Sequence, residues 1–411
     1  MKRKRIGIIG GGAAGMLAAI GAVKEGADVT ILEKNERIGK KILMTGNGKC
    51  NLSNLDFSIE AYHSTNLDRV FRIFERFTVE ETIHLFEAMG LFVKEKNGYL
   101  YPASEQASAV LDVLRYELHY SGVHIITDAT VSSIKPKTTK NGEPCFTVIC
   151  KKDTYEFDSV IIACGSKACP KTGSDGMGYT LAKQFGHKII KPVPALVQLK
   201  CKEDFFKAIA GVRCDATLQL LIDDKEIVVE RGELQLTDYG VSGIPVFQLS
   251  RFASYGLEDK KKVQILIDFL PDVTEADLEK IIKIRYAIHN DRTVEEFTTG
   301  TLNKKLAMLF IKLAGLKSNE LVSNIKEEQI VAMFMQMKNL AVTVTETNSF
   351  ANAQVCAGGV SMNEVKDTME SMLVPGLFFA GEVLDVDGRC GGYNLQWAWA
   401  SGCMAGYHST K

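Results

Sequence analysis

The sequence is short of the features that mark several protein classes. Its ten cysteines form no C-x-x-C pair and its seven histidines no cluster at ligand spacing, so neither a metal site nor a disulfide framework is expected. Charge of one sign is also lacking: 49 Lys+Arg stand against 50 Asp+Glu, a net charge of −1. That balance removes the counterion-release drive of most nucleic-acid binding and any general attraction to anionic lipid, so neither nucleic acid nor membrane is an expected partner. Beyond the N-terminus nothing approaches the roughly 20 apolar residues that span a bilayer. No internal repeat and no Pro- or Ser-rich linker breaks up the 411 residues. A single doubly wound nucleotide-binding unit needs only about 150–200 residues, so extra domains or a large insertion must account for the rest.

After Met1, residues 2–5 are basic and 6–23 form an apolar run, the outline of a signal peptide. Gly7, Gly10, Gly11, Gly12, Gly15 and Gly21 fall within that run and would weaken a helical h-region. The run also leads directly into an alternating strand pattern. Many unpaired thiols suit a reducing compartment, and the expected location is cytoplasmic.

Residues 6–9, Ile-Gly-Ile-Ile, read as a short buried strand. Gly10, Gly12 and Gly15, with Ala14 among them, then give G-x-G-x-x-G where residues 16–24 can begin a helix. A second strand over 29–33 ends on Glu33. Alone the glycine spacing is weak evidence; between a strand and a helix it is a dinucleotide-binding fingerprint. The glycines serve the tight turn, the close approach of backbone to a pyrophosphate and helix–strand packing, while the helix start supplies free N–H groups and positive dipole. Glu33 is placed to accept from the adenosine ribose hydroxyls, which disfavours the 2′-phosphate of NADP.

The stretch after Glu33 separates FAD from NAD. An NAD domain proceeds to another regular βα unit, whereas residues 34–54 make a polar, Gly/Asn-rich excursion of the kind that runs along the flavin end of FAD. Lys40 or Lys41 faces the pyrophosphate, Lys41 being the stronger candidate, and Lys34 is a further cofactor contact. Thr45, Gly46, Asn47, Gly48 and Asn51 offer hydrogen bonds to ribityl or flavin groups, or else close Asx turns within the loop. Cys50 stands where flavin disulfide reductases carry a redox pair, but C-x4-C fails at Leu55; packing or flavin contact is the expected role. Cys164 and Cys169 have that spacing but lie after a different strand.

Residues 106–121 read as a helix and 123–127 as a strand. Val131 is either a backbone contact for the adenine edge or a plain hydrophobic strand position. Residues 157–165 form a buried strand ending in Ala163, Cys164 and Gly165, small residues that let the backbone pass close to a cofactor; FAD domains carry A-T-G here, with Cys164 replacing Thr. No second fingerprint is present, so NAD(P)H would reach the flavin directly, as a transient electron donor with no domain of its own. Residues 376–382 read as a strand ending in Ala380, Gly381 and Glu382, analogous to the A-G-D motif whose acid faces the ribityl or phosphate region. Gly391, Gly392, Tyr393, Asn394 and Leu395 then lead into a helix over 397–406. Gly392, Asn394 and Leu395 would sit at a helix start whose N–H groups stabilise the negative charge that reduction places at flavin N1 and C2=O.

Residues 195–345 fit neither end of the nucleotide domain. Alternating runs at 196–201, 216–222, 226–230 and 263–269, two of them joined at Asp223-Asp224-Lys225, read as a small antiparallel barrel or sandwich. Residues 274–337 read as a helical bundle, and 233–245 as a polar loop able to approach the flavin. The expected organisation is an FAD-binding domain over 1–194, a β-barrel insert over 195–272, a helical insert over 273–340 and the remainder of the FAD-binding domain over 341–411. The fold class is therefore α/β, a Rossmann-like two-dinucleotide-binding FAD domain split by two inserts.

Together the motifs at residues 8–15, 45–51, 236–243, 357–360, 380–385 and 391–398 closely resemble those of the BaiN-like family of FAD-dependent oxidoreductases, in order and over nearly the whole chain. The last, Gly-Gly-Tyr-Asn-Leu-Gln-Trp-Ala, is far more specific than any nucleotide fingerprint. The resemblance implies FAD, a split domain with a barrel and a helical insert, and an ene-reductase acting on C=C bonds conjugated to a ketone, such as 3-oxo-Δ4,6 bile acid intermediates. Hydride would pass from reduced flavin to the β-carbon while an acid protonates the α-carbon. Tyr393 is the candidate acid and Lys49 the candidate oxyanion or flavin contact; family members often have Arg at the Lys49 position, and Lys cannot reproduce a bidentate contact. A small, apolar, steroid-like substrate is expected, in a groove where insert and flavin domain join. Two other readings stay open: an oxygen-using flavin amine oxidase, and an FAD-dependent RNA-binding or RNA-modifying protein, which a basic insert would mark.

Overall fold

The computed structural model describes residues 3–138, 142, 144–151 and 153–411. It divides into two compact units, one of Met1–Val193 with Gln354–Lys411 and the other of Pro194–Ala353.

In the first unit Arg5–Ile9 is the central strand (β1), followed by the helix Ala13–Lys24 (α1) and the strand Asp28–Leu32 (β2). β1 lies between β2 and Ser159–Ile162; His124–Ile126 extends the sheet beyond β2 and Leu377–Phe379 beyond Ser159–Ile162, with every pairing parallel. Parallel strands are covered on both faces and need apolar residues on both; Ile6, Ile8, Ile31, Val160, Ile161, Ile162, Leu377 and Phe379 are all buried. The strand expected over 157–165 is two pieces, Thr154–Phe157 and Ser159–Ile162. Asp158 turns the chain between them, its carboxylate accepting from the Arg5 backbone N–H at 2.8 Å and from Arg5 Nη2 at 3.0 Å.

The C-terminal helix, Tyr393–Ser409, packs on α1. β-carbons added at Gly402 and Gly406 would come within 2.5 Å of the Ala14 carbonyl oxygen and 2.1 Å of that of Ala18. Ala14 precedes Ala18 as Gly402 precedes Gly406, so the two helices run in the same direction. A mid-helix glycine costs about 1 kcal/mol relative to alanine; here it permits backbone contact that no other residue allows.

In the second unit the strands Leu199–Cys201, Gly240–Gly243, Lys225–Leu236, Arg213–Ile222, Val263–Asp268 and Leu340–Thr347 close in that order into an antiparallel barrel. Asp223 and Asp224 join two of them as a two-residue hairpin with φ of 50° and 61°, the doubly left-handed turn that matches strand twist. Residues 233–245 are not the polar loop expected from sequence but strand ends, turn and helix start. Gly240 and Gly243 lie so close to Leu199 and Glu233 that a β-carbon would stand 2.3 Å from a carbonyl oxygen in each case; these glycines serve strand pairing. The helix Ile244–Glu258 comes next, unanticipated by sequence.

The helices Glu275–His289, Val294–Thr298, Lys304–Leu313 and Glu327–Gln336 come between the last two barrel strands. The strand Leu340–Thr347, grouped by sequence mostly with the FAD-binding domain, instead completes the barrel, burying Val342 and Val344 with Ile265 and Ile267. The first unit resumes only at Gln354. No helix among the described residues is long and apolar enough to cross a membrane.

Candidate functional site

Several turns converge at the C-terminal ends of the central parallel strands, where open α/β sheets bind ligands. Gly10, at φ 103°, sits against the turn after Ser159–Ile162: its β-carbon would be 2.7 Å from Ala163 O and from Cys164 Cα. Gly15 packs back on Gly10, with 1.9 Å from its ideal β-carbon to the Gly10 carbonyl oxygen, whereas Gly12 has nothing within 4 Å on that side. The outer glycines therefore serve packing, and the middle one leaves the cradle open. Gly12 is also the N-cap of α1 and supplies no capping side chain, so the first-turn N–H groups call for an acceptor from elsewhere.

Glu33 is buried at the end of β2. One of its oxygens accepts from Gly11 N–H at 2.8 Å, the other from Asn35 N–H at 2.9 Å and Asn35 Nδ2 at 2.7 Å. Glu33 thus shapes the glycine loop, and with about four acceptor sites on a carboxylate it keeps capacity for a ribose hydroxyl. Ala129 N–H donates to the Glu33 carbonyl at 2.9 Å, which brings Val131, buried at the start of the strand Val131–Thr138, into the same corner. Lys34 is a correction: its ammonium pairs with Asp175 at 2.6 Å, and with Asn35 Nδ2 donating to Thr172 O at 3.1 Å it holds residues 165–176 over the end of β2. Gly165 (φ 71°) belongs to that turn, with Ser174 Oγ 2.6 Å from where its β-carbon would be.

Gly381, at φ 74°, brings the A-G-E turn onto α1, 2.7 Å from Ala14 Cβ by the same measure. Its N–H donates to Ser401 Oγ at 2.9 Å and its carbonyl accepts from Trp397 Nε1 at 3.2 Å. Beside it Glu382 accepts from Lys41 Nζ at 2.6 Å and from Ser166 Oγ at 3.1 Å. Lys41 therefore reaches the cradle by way of Glu382.

The C-terminal helix opens on Gly391 and Gly392 at φ 124° and 98°, again with no capping side chain. Gly392 rests on the Ser53 backbone, 2.6 Å from its ideal β-carbon, and Gly391 on the Tyr99 ring at 2.7 Å. Gln396 fixes this start: its Oε1 accepts from Ser53 Oγ at 2.8 Å and Thr82 Oγ1 at 2.9 Å, and its Nε2 donates to Thr78 O at 3.2 Å. Asn394 accepts from Gly388 N–H at 2.9 Å and donates to Gly388 O at 2.8 Å; its side chain closes the 388–394 turn, and only its backbone faces the helix start. Leu395 is half-buried against the core. From the Gly402–Ala14 contact, this helix extends about eight residues beyond the start of α1, or about 12 Å. Two uncapped helix starts thus point the same way with an offset that suits the pyrophosphate and the flavin ring of one extended cofactor.

Between them lies the 45–51 loop. Thr45 Oγ1 donates to Ile42 O at 2.6 Å and its side chain bonds the Cys50 thiol, so Thr45 is structural. Gly46, Asn47 and Cys50 take left-handed φ of 54°, 52° and 58°. Cys50 is wholly buried, which pushes its thiol up to about 11, and burial pushes Cys164 up to about 12; neither is disposed to form the thiolate that redox exchange needs. Among the described residues Asn51 Oδ1 is buried with no hydrogen-bond partner. An orphaned acceptor costs about 1–3 kcal/mol, and the N3–H of an isoalloxazine is a donor that would satisfy it. The open Gly12 cradle, the buried ribose acid, the orphaned Asn51 and the second helix start all fit FAD.

The sequence profile of the HI0933-like protein Rossmann domain matches residues 4–408. The chain belongs to the HI0933-like family. It is 44% identical over 405 residues, 98% of each chain, to a 3-dehydro-bile acid delta(4,6)-reductase of Clostridium scindens. Ribosomal RNA dihydrouridine synthases of Haemophilus influenzae and Escherichia coli are each 31% identical over 96% of this chain and 95% of theirs. Among solved structures, a 3-ketosteroid delta1-dehydrogenase of Sterolibacterium denitrificans in complex with 1,4-androstadiene-3,17-dione matches along the whole of both chains with a TM-score of 0.51 and 12% identity, a likeness of fold. This HI0933-like protein is an FAD-dependent oxidoreductase.

Two catalytic expectations need correction in it. Tyr393 is almost wholly buried, its ring 5.7 Å from and perpendicular to that of Tyr62, and its hydroxyl donates to the Asp56 carbonyl at 2.8 Å; a proton held on the backbone is not poised for a substrate. Lys49 Nζ lies 2.7 Å from Glu105 in an exposed pair that Lys94 shares, and the two ammonium groups hold Glu105 down to about 2. Lys49 is thus no bare oxyanion partner. Residues that sequence reasoning passed over include Ser53, Ser166, Gln396, Ser401 and Tyr101. The alternation Tyr99-Leu100-Tyr101 was a usable signal, since it places both phenols on one face of a strand. Among the described residues no three His, Cys, Asp or Glu are grouped to hold a metal ion.

Proposed function

We propose that this HI0933-like protein reduces a C=C bond conjugated to a ketone on a small steroid-like acid of the 3-oxo-Δ4,6 bile acid type, drawing electrons from NAD(P)H. The 44% identity across 98% of both chains to a 3-dehydro-bile acid delta(4,6)-reductase carries this reading. FAD, when bound, supplies the two-electron carrier. Gly10, Gly12 and the start of α1 would hold its pyrophosphate, Glu33 its ribose, Lys41 with Glu382 the stretch beyond, and Asn51 with the N–H groups from Gly392 onward its ring. The positive end of the C-terminal helix favours the anionic reduced flavin. No second glycine fingerprint serves a nicotinamide, so the donor would meet the ring directly.

A second reading has a specific observation behind it, the 31% identity to ribosomal RNA dihydrouridine synthases. Dihydrouridine also arises by adding hydrogen across a C=C bond conjugated to a carbonyl, so the chemistry is shared and the substrate differs. A net charge of −1 favours the small substrate, because RNA binding rests on neutralising phosphates. Anaerobic bleaching of the flavin by NADH or NADPH, followed by reoxidation with a 3-oxo-Δ4,6 bile acid, is the expected result. Fast reoxidation by oxygen alone, with an amine as the reductant, would overturn it in favour of an amine oxidase. Salt-dependent retention of ribosomal RNA, with dihydrouridine formed on it, would replace it with the second reading.

A further inference from the structure

Tyr62, Tyr99, Tyr101 and Tyr393 bring phenols to the region where the C-terminal helix begins, the Tyr99 ring lying on Gly391 and Tyr101 standing nearer the 45–51 loop. Two have their protons tied to backbone: Tyr62 donates to Tyr393 O at 3.0 Å and Tyr393 to Asp56 O at 2.8 Å. The Tyr101 hydroxyl, half-buried, meets no hydrogen-bond partner among the described residues. Its strand, Tyr99–Pro102, is anchored by pairing with Ser53–Asn54, and Leu100 faces the core while Tyr99 and Tyr101 share the opposite face. Tyr99 touches Gly391, and Tyr101 Cε1 lies 4.0 Å from where a Gly46 β-carbon would be. Tyr101 therefore stands beside the 45–51 loop, with Lys49, Glu105, Tyr99 and Cys390 as the charged and titratable groups around it.

We infer that Tyr101 is the acid that protonates the α-carbon of the substrate, an assignment that rests on the ene-reductase reading. The β-carbon receives hydride, and with it two electrons, from FAD that NAD(P)H has reduced. The C=C π bond is lost, the Tyr101 O–H bond breaks as the α-carbon C–H bond forms, FAD is left oxidised, and the phenolate regains a proton from solvent. An acid in this place must keep its proton until transfer and tolerate its loss afterwards. Burial, with Tyr99 beside it, raises Tyr101 above the usual phenol range, while the Lys49 ammonium acts in the opposite direction. Lys49 is thereby a positioning residue that works through Tyr101 and is itself steadied by Glu105.

The test uses holoenzyme reduced anaerobically with dithionite and mixed with a 3-oxo-Δ4,6 bile acid. Tyr101→Phe is expected to slow flavin reoxidation by about 100-fold or more, the usual worth of a general acid, with FAD content and reduction by NAD(P)H retained. In heavy water the wild type should place deuterium on one face of the α-carbon, and the variant on both. Away from turnover, ring-labelled tyrosine NMR of the resting holoenzyme should show one resonance, missing in Tyr101→Phe, that titrates above free tyrosine, moves further up in Lys49→Met and returns in Lys49→Arg. Reoxidation of Tyr101→Phe at the wild-type rate, or a resonance indifferent to Lys49→Met, overturns the assignment alone. A wild type that no enone reoxidises overturns the reductase reading and the assignment with it.

Discussion

Gly402 lies flush against Ala14, where a β-carbon would stand 2.5 Å from the Ala14 carbonyl oxygen. The contact sets the depth at which the C-terminal helix meets α1, and so the spacing of the two uncapped helix starts. Gly402→Val would drive the helices apart, and overpacking of this kind typically costs about 1–3 kcal/mol. The expected outcome is a lower melting temperature together with a reduced FAD-to-protein ratio in the visible spectrum. Full flavin content with an unchanged melt would show that the helix spacing does not govern the cofactor site.

Tyr393 separates a structural tyrosine from a catalytic one. Its hydroxyl bond to Asp56 O is neutral and largely buried, and burial raises its pKa. Tyr393→Phe removes a donor and leaves the Asp56 carbonyl short of a partner, for a loss of about 1 kcal/mol. Urea unfolding at neutral pH should show the midpoint shift down with the slope retained. A variant as stable as the wild type would mean that water takes over the Asp56 carbonyl.

The readable and unreadable parts of this fold differ in range. The signals of the strand–glycine–helix opening are local: the apolar run of Arg5–Ile9, the glycine spacing and the start of Ala13–Lys24 follow one another within a few positions, so periodicity and glycine spacing suffice even though their packing partners are distant. The barrel strand Leu340–Thr347 looks the same from sequence whichever sheet takes it, and only its partners, Val263–Asp268 and Leu199–Cys201, assign it to the barrel. The motifs beside them mark Lys34 as a cofactor contact and Tyr393 as a proton donor, but their polar atoms are claimed by Asp175 and Asp56, distant in sequence. Gly402 and Gly406, four apart in one helix, are a legible mark of close helix approach.

His187 gives the first unit a pH-dependent stability. It is buried, with Nδ1 3.2 Å from Glu364 Oε2, Nε2 2.8 Å from Ser371 Oγ and the ring edge-on to Phe379. The arrangement has the outline of a Ser-His-carboxylate triad, but Ser371 is buried and accepts from the backbone N–H groups of Leu373 and Val374, so it is a turn and not a nucleophile. Burial lowers the His187 pKa and outweighs the opposing pull of Glu364. The unfolded chain, titrating near about 6.5, therefore binds the proton more readily than the folded one. Stability from this group is present above that pH and declines as pH falls through it toward the folded value. The urea midpoint should drop between about pH 7.5 and 5.5 in the wild type and change less in His187→Gln. Parallel profiles would assign the dependence to other groups.

Asn51 should show opposite effects on the empty and the loaded protein. Its Oδ1 is buried without a partner among the described residues, and replacing an orphaned polar group by an apolar one of similar size is nearly neutral or stabilising. Asn51→Leu should therefore leave the FAD-free protein as stable as the wild type or more so. If Asn51 accepts from the flavin ring, the same change removes that bond and strands the ring N–H in a dry site, a loss of about 1–3 kcal/mol, or roughly 5- to 150-fold in the FAD dissociation constant. Melting of FAD-stripped protein and fluorescence titration with FAD measure the two effects separately. A loss in apoprotein stability matched by unchanged FAD affinity would mean that Asn51 serves the 45–51 loop and not the cofactor.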